Sequence, residues 1–142
     1  MTTPFRPTVR SQADLEAVWK HLMGPQTGEW GFGGHSVWML VIDADDRPFP
    51  QITEITEAVE PPDDEQVSSL AELIGGLAEP GRTFAFLRSR PGPGGVSDDD
   101  RAWARGLYDA GRQAGVSLEV VHRACDHDLV AVPMDDVLPA AG

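Results

Sequence analysis

Arg88 and Arg90 flank a single serine, and Ser97 stands three positions before Asp100, with Pro91-Gly92-Pro93-Gly94-Gly95-Val96 between the two pairs. Residues two apart at a strand end project to the same side, so the two guanidiniums aim together. A guanidinium stays protonated and has only N–H donors, so it cannot ligate a metal, but it binds carboxylates and phosphates well. Two uses of the pair follow. Arg88 and Arg90 could clamp an anion such as a phosphate or a peptide carboxylate. Alternatively they pair internally with Asp98, Asp99 and Asp100, and exposed pairs of that kind contribute under about 1 kcal/mol each. Ser97 and Asp100 also fit a capping box, and three aspartates in a first helical turn meet the positive end of the helix dipole. The aspartates therefore need no ligand to account for them.

A second cluster, His122-Arg123-Ala124-Cys125-Asp126-His127-Asp128, holds imidazoles, a thiol and carboxylates within a short span. These are metal-ligand types, which makes His122, Cys125 and His127 candidate ligands. The cluster has no Cys-x-x-Cys or His-x-His spacing, and polar residues are expected at a hairpin turn in any case, so a solvated turn is the plainer reading. A Cys125–His127 nucleophile pair has no identifiable third orienting group or oxyanion donor. His21 and His35 are isolated and read as surface or packing residues. Trp19, Trp38 and Trp103 fall at core-facing positions and read as packing.

These residues need elements to position them. Ser11 to Asp14 opens a helix as a capping box, with Leu15, Val18, Trp19 and Leu22 at helical spacing, stopped by Gly24-Pro25. Gly24 to Gly34 is a Gly-rich loop carrying Trp30 and Phe32, with no lysine to meet a phosphate. Ser36 to Asp43 is apolar without alternation, as in a strand buried on both faces. Asp45 to Pro48 is a turn, and Phe49 to Thr56 a second strand whose broken alternation predicts a kink or bulge. Asp63 and Gln66 cap a second helix with Val67, Leu70, Ala71, Ile74, Leu77 and Ala78 on its inner side, ending at Pro80-Gly81. Thr83 to Leu87 is a third strand leading into the arginines. The third helix starts at Ser97 and runs through Trp103, Leu107, Ala110 and Ala114 to Gly115. Ser117 to Arg123 and Asp128 to Val132 are two short closing strands.

The chain has 142 residues and a formal net charge of −12, with its basic residues dispersed. Such a field is unfavourable for nucleic acid and for anionic membranes. No apolar run approaches the roughly 18 residues that span a bilayer, and the first residues lack the apolar segment of a signal peptide. A cytoplasmic location is the expectation. The single cysteine, Cys125, rules out an internal disulfide. One domain over residues 1–142 is expected, with its core at 11–132 and flexible termini at 1–10 and 139–142.

From about Ser11 to Val132 the chain resembles the JAB/MPN metalloprotease-like superfamily, in particular its RadC-like bacterial branch. In that family a strand ends in His-x-His, followed by prolines, serine and glycine, then Ser-x-x-Asp opening a helix; both histidines and the aspartate bind zinc, and an upstream glutamate activates water. Here the strand ends in Arg88-Ser89-Arg90, the prolines are Pro91 and Pro93, and Ser97 to Asp100 opens the helix. Ala110 to Leu118 is similar to that branch's helix end and next strand, and His122 falls near its Asp-His pair. Of the ligand positions only Asp100 is retained, the loop to Ser97 is one residue shorter, and Glu54 or Glu57 stands near the glutamate's segment without an assignable alignment.

The resemblance implies an α/β fold: a single three-layer, cytidine-deaminase-like domain with a central mixed sheet flanked by three helices. The first and third helices would pack on the sheet, with the second on the other side or edge. It implies a metal-free, non-catalytic domain without cofactor, acting on a protein partner, a small anionic ligand or a second copy of itself. Two other readings are a zinc hydrolase built around Asp100, His122 and His127 and an anion-binding module using Arg88 and Arg90.

Overall fold

The apolar run Ser36-Val37-Trp38-Met39-Leu40-Val41-Ile42 forms β1 (Ser36–Ile42), buried along nearly its whole length. It lies inside a sheet, and its alternate side chains serve two different cores. The computed structural model describes residues 8–23, 35–56, 60–91, 94–125 and 128–134. The other elements are α1 (Gln12–Met23), β2 (Pro48–Thr56), α2 (Asp64–Leu77), β3 (Thr83–Ser89), α3 (Asp98–Ala114), β4 (Ser117–Leu118), β5 (Val121–Ala124) and β6 (Leu129–Val132). The Trp30 and Phe32 loop and His127 lie outside the described residues.

The strands form one six-stranded mixed sheet in the order β2-β1-β3-β5-β6, with β4 also beside β3. β1 pairs antiparallel with β2 and β3, whereas β4 and β5 both run parallel to β3. Parallel neighbours need a crossover, and α3 supplies it. The expected break in β2 is found as a register shift, between the Leu40–Ile52 and Ile42–Pro48 pairs.

Three helices flank the sheet, but not as expected. Val67, Leu70, Ala71 and Ile74 of α2 and Trp103, Ala104 and Leu107 of α3 share one core with Val37, Met39, Phe84 and Phe86. Leu15, Val18 and Trp19 of α1 cover the opposite face with Leu40, Ile42, Ala85 and Leu87. α1 thus stands alone, and α2 joins α3. The close approach of α2's entry segment to α3 explains the pairing: Gly106 gives Pro62 room, and a Cβ there would sit 2.5 Å from Pro62 Cγ. Full burial of one residue such as Ile74, which is 0% exposed, is worth about 1.5–3 kcal/mol.

Two of the three expected capping boxes form, Asp63 with Gln66 and Ser97 with Asp100; at α1 Ser11 Oγ accepts from the Asp14 N–H, but the Asp14 carboxylate accepts from the Arg10 N–H. α3 ends at Gly115 in the left-handed region, where glycine carries no Cβ penalty. Three local expectations need correction. Leu77 and Ala78 are exposed, because α2 ends at Leu77 and its last turn passes beyond the sheet-facing stripe. Ser117 to Arg123 is two strands, broken where the Glu119 N–H reaches back to Phe84 O. The segment before Ser11 is anchored at its inner end, where Val9 is buried and its N–H donates to Asp46 O.

No described helix is long and apolar enough to cross a membrane.

Candidate functional site

Side-chain alternation along β3 sends Phe84, Phe86 and Arg88 toward the α2/α3 layer and Ala85, Leu87 and Ser89 toward α1. Parallel pairing with β5 sets Arg123 beside Arg88 and Ala124 beside Ser89. Arg90 follows the strand end, held by its N–H on Ala124 O. Three guanidiniums therefore converge where the N-terminus of α3 brings in Asp100.

Asp100 is enclosed. Its side chain is fully buried, and Arg88 and Arg90 are 2% and 8% exposed. Arg90 holds it side-on, with Nε 2.8 Å from Oδ1 and a terminal nitrogen 2.9 Å from Oδ2. Arg88 places one terminal nitrogen 2.5 Å from Oδ1, and Arg123 Nε lies 3.6 Å from Oδ2. The Ser97 N–H donates to Oδ2, completing the cap. Arg90 and Arg123 each also donate to Gly95 O, at 3.3 and 2.6 Å, which ties the glycine loop to β5. Arg123 pairs with Asp128 as well, and Cys125 Sγ donates to the same carboxylate at 3.1 Å.

Taking these charges out of water is costly, and close geometry is what offsets the cost. At Asp100, burial pulls the carboxyl upward. The Arg90 hydrogen bonds, the Ser97 N–H and the two neighbouring positive charges outweigh that and hold it below the usual carboxylate range. Arg90 is raised, its hydrogen bonds to Asp100 outweighing burial. Arg88 goes the other way: burial lowers it more than Asp100 restores. Arg88 is the less compensated of these two cations, and its Nε, like that of Arg123, is buried without a hydrogen-bond partner.

The arginines and aspartates singled out in the sequence thus come together, but in a buried cluster rather than in exposed pairs. Among the three aspartates only Asp100 is enclosed; Asp98 and Asp99 are exposed. Beside the cluster a cavity of about 340 Å³ is lined by His35, Arg88, Arg90, Ser97 and Asp99, with the backbone around Gly95. His35, read as a surface or packing residue, is half-buried at this cavity wall, and its Nδ1 is buried without a partner. Sequence reasoning also passed over Arg123. A signal existed, because Arg123 stands two positions after Val121 and so shares its face of a short strand.

The second sequence cluster is dispersed. His122 points away from Asp100, toward α1, with Nε2 3.3 Å from Glu16 Oε1 and Nδ1 3.0 Å from Val120 O. Burial lowers its pKa more than Glu16 raises it. His122 and Cys125 are fully buried, so they do not belong to a solvated turn. Among the described residues no three His, Cys, Asp or Glu side chains are grouped to hold a metal. His127, Glu57 and their surroundings lie outside them. Glu54 accepts from Ser36 Oγ at 2.7 Å on the α1 side of the sheet, away from Asp100.

The donor set around Asp100 does not fit zinc. The three arginine neighbours of Asp100 are cations without a lone pair, and both carboxylate oxygens already accept N–H bonds.

The chain matches no protein-family model and no curated protein.

Proposed function

We propose that this chain is a metal-free, non-catalytic domain of JAB/MPN-like, RadC-like architecture that acts by binding a protein partner or a small anionic ligand. The observation that carries the reading is the fate of Asp100. It is the one residue at a metal-ligand position of that family, and three guanidiniums hold its carboxylate where a cation would otherwise stand. An internal cation replaces the external one, so the loop and helix are organised without a metal.

The architecture is compatible with this reading. β3 lies between β1 and β5, leads into the proline-glycine loop, and is followed by a helix capped by Ser97 and Asp100. A water-activating centre would need an open coordination position and a nearby base. Here Glu54 and His122 both face the other side of the sheet.

Elemental mass spectrometry of natively purified, untagged protein, with a zinc titration on the same sample, tests the proposal. The expected result is no stoichiometric zinc and no saturable uptake. One equivalent of zinc that is lost in Asp100→Asn would overturn it.

A further inference from the structure

Of the three buried arginines, Arg90 is the most fully engaged within the protein and Arg88 the least. Arg90 engages Asp100 with its side-on fork and also bonds Pro91 O and Gly95 O. Arg123 divides its terminal nitrogens between Gly95 O and Asp128 and leaves only its Nε, 3.6 Å from Asp100 Oδ2, without a hydrogen bond. Arg88 differs. It gives one terminal nitrogen to Asp100, its Nε has no partner, and its other terminal nitrogen makes no hydrogen bond among the described residues. A guanidinium only 2% exposed with two donor nitrogens unused is an unfinished ion-pair network.

We propose that the cavity bounded by His35, Arg88, Arg90 and Ser97 binds a small, singly charged carboxylate, with Arg88 as its anchor. Buried charge favours this valence. The three guanidiniums pair directly with only two carboxylates, the buried Asp100 and the half-exposed Asp128, so the site has room for at most one further negative charge. Asp99 at the cavity wall and the net charge of −12 oppose a dianion such as phosphate. The planar guanidinium edge matches a carboxylate. His35 lines the same cavity, so its ring borders a bound ligand. At about 340 Å³ the cavity exceeds a bare ion and suits a small organic acid. Arg88's weakened hold on its proton fits a charge awaiting its counter-ion.

This inference rests on the metal-free reading and can fail separately from it. The full chain, labelled for amide NMR, is titrated at constant ionic strength with sodium acetate and sodium benzoate, against sodium chloride and inorganic phosphate. One or both carboxylates are expected to give saturable shifts at Gly94 to Ser97, with chloride inert and phosphate weaker. Arg88→Gln should weaken carboxylate binding about tenfold or more. His35→Ala, outside the ion-pair network, should weaken it about threefold without unfolding the domain, and keeps the test decisive if Arg88→Gln does not fold. No saturable shift in the wild type up to about 50 mM carboxylate, unchanged binding in either folded variant, or tighter binding of phosphate would each overturn the proposal. Zinc content is measured on the same sample: zinc with intact carboxylate binding would sink the metal-free reading alone, and absent zinc with no binding would sink this site alone.

Discussion

Arg90 holds Asp100 side-on, its Nε 2.8 Å from one carboxylate oxygen and a terminal nitrogen 2.9 Å from the other. With Arg88 and Arg123 on the same carboxylate, one buried anion serves three buried cations. Its removal takes away the one carboxylate that Arg88 meets and loosens Arg90 and Arg123, which keep Gly95 O and, for Arg123, Asp128.

Asp100→Ala should therefore destabilise the domain by about 3–5 kcal/mol, the usual consequence of leaving buried charge uncompensated. Exposed Asp98→Ala on the same helical turn should cost under about 1 kcal/mol. Urea unfolding of the two variants measures the difference, and equal midpoints would mean that the cluster does not contribute as its burial implies.

Stability should also fall with acid in two steps. Asp100 has a depressed folded pKa, so its contribution is complete above about pH 4, the unfolded carboxyl range, and is lost as pH falls through the lower folded value. His122 is likewise depressed by burial. The unfolded chain takes up that proton first, so stability declines as pH drops below about 6.5 toward the folded value. Urea midpoints from about pH 2 to 8 should lose the upper step in His122→Gln and the lower one in Asp100→Asn.

Tyr108 bridges the end of the β5–β6 pair: its hydroxyl donates to Val132 O at 2.8 Å and accepts from the Val121 N–H at 2.9 Å. Tyr108→Phe keeps the ring but leaves two buried backbone groups short of a partner, and should cost about 1–3 kcal/mol. Faster hydrogen exchange of the Val121 amide is the specific sign; unchanged protection would show that this bridge is dispensable.

Gly106→Ala tests the packing of the second helical layer. The added methyl would lie 2.5 Å from Pro62 Cγ and 3.5 Å from Val67 Cγ2. Overpacking of this kind costs about 1–3 kcal/mol. Gly75→Ala on α2, where a Cβ meets nothing within 4 Å, should instead be neutral or stabilising by up to about 1 kcal/mol. Thermal melts of the two distinguish packing from helix propensity.

Much of this arrangement is legible in the residues themselves. The Asp63–Gln66 and Ser97–Asp100 boxes declare two helix starts, the uninterrupted apolar run of β1 declares a strand buried on both faces, and the spacing of Trp103, Leu107 and Ala110 declares the inner stripe of α3. The side taken by α2 is not legible, because an amphipathic stripe fixes which way a helix faces and not which surface of the sheet receives it. Pro62 against Gly106 decides that, and it is a contact between distant segments. The candidate site divides in the same way. Arg88, Arg90, Ser97 and Asp100 are neighbours in sequence and stand out as a group. Arg123 joins them only through the parallel register that sets it beside Arg88, for which no local pattern exists. His35 enters from just ahead of β1, through a cavity wall that exists only in the folded chain.

The cluster also bears on the order in which the chain acquires its structure. Arg88 belongs to β3, Asp100 to α3 and Arg123 to β5, so one carboxylate staples three successive parts of a crossover whose strands pair in parallel. That staple cannot close until the whole α3 excursion has returned to the sheet, after the entropy of loop closure has been met. It acts as a latch set late in folding. Weakening it is expected to accelerate unfolding far more than it slows refolding, so the lifetime of the native state, more than the speed of reaching it, depends on Asp100.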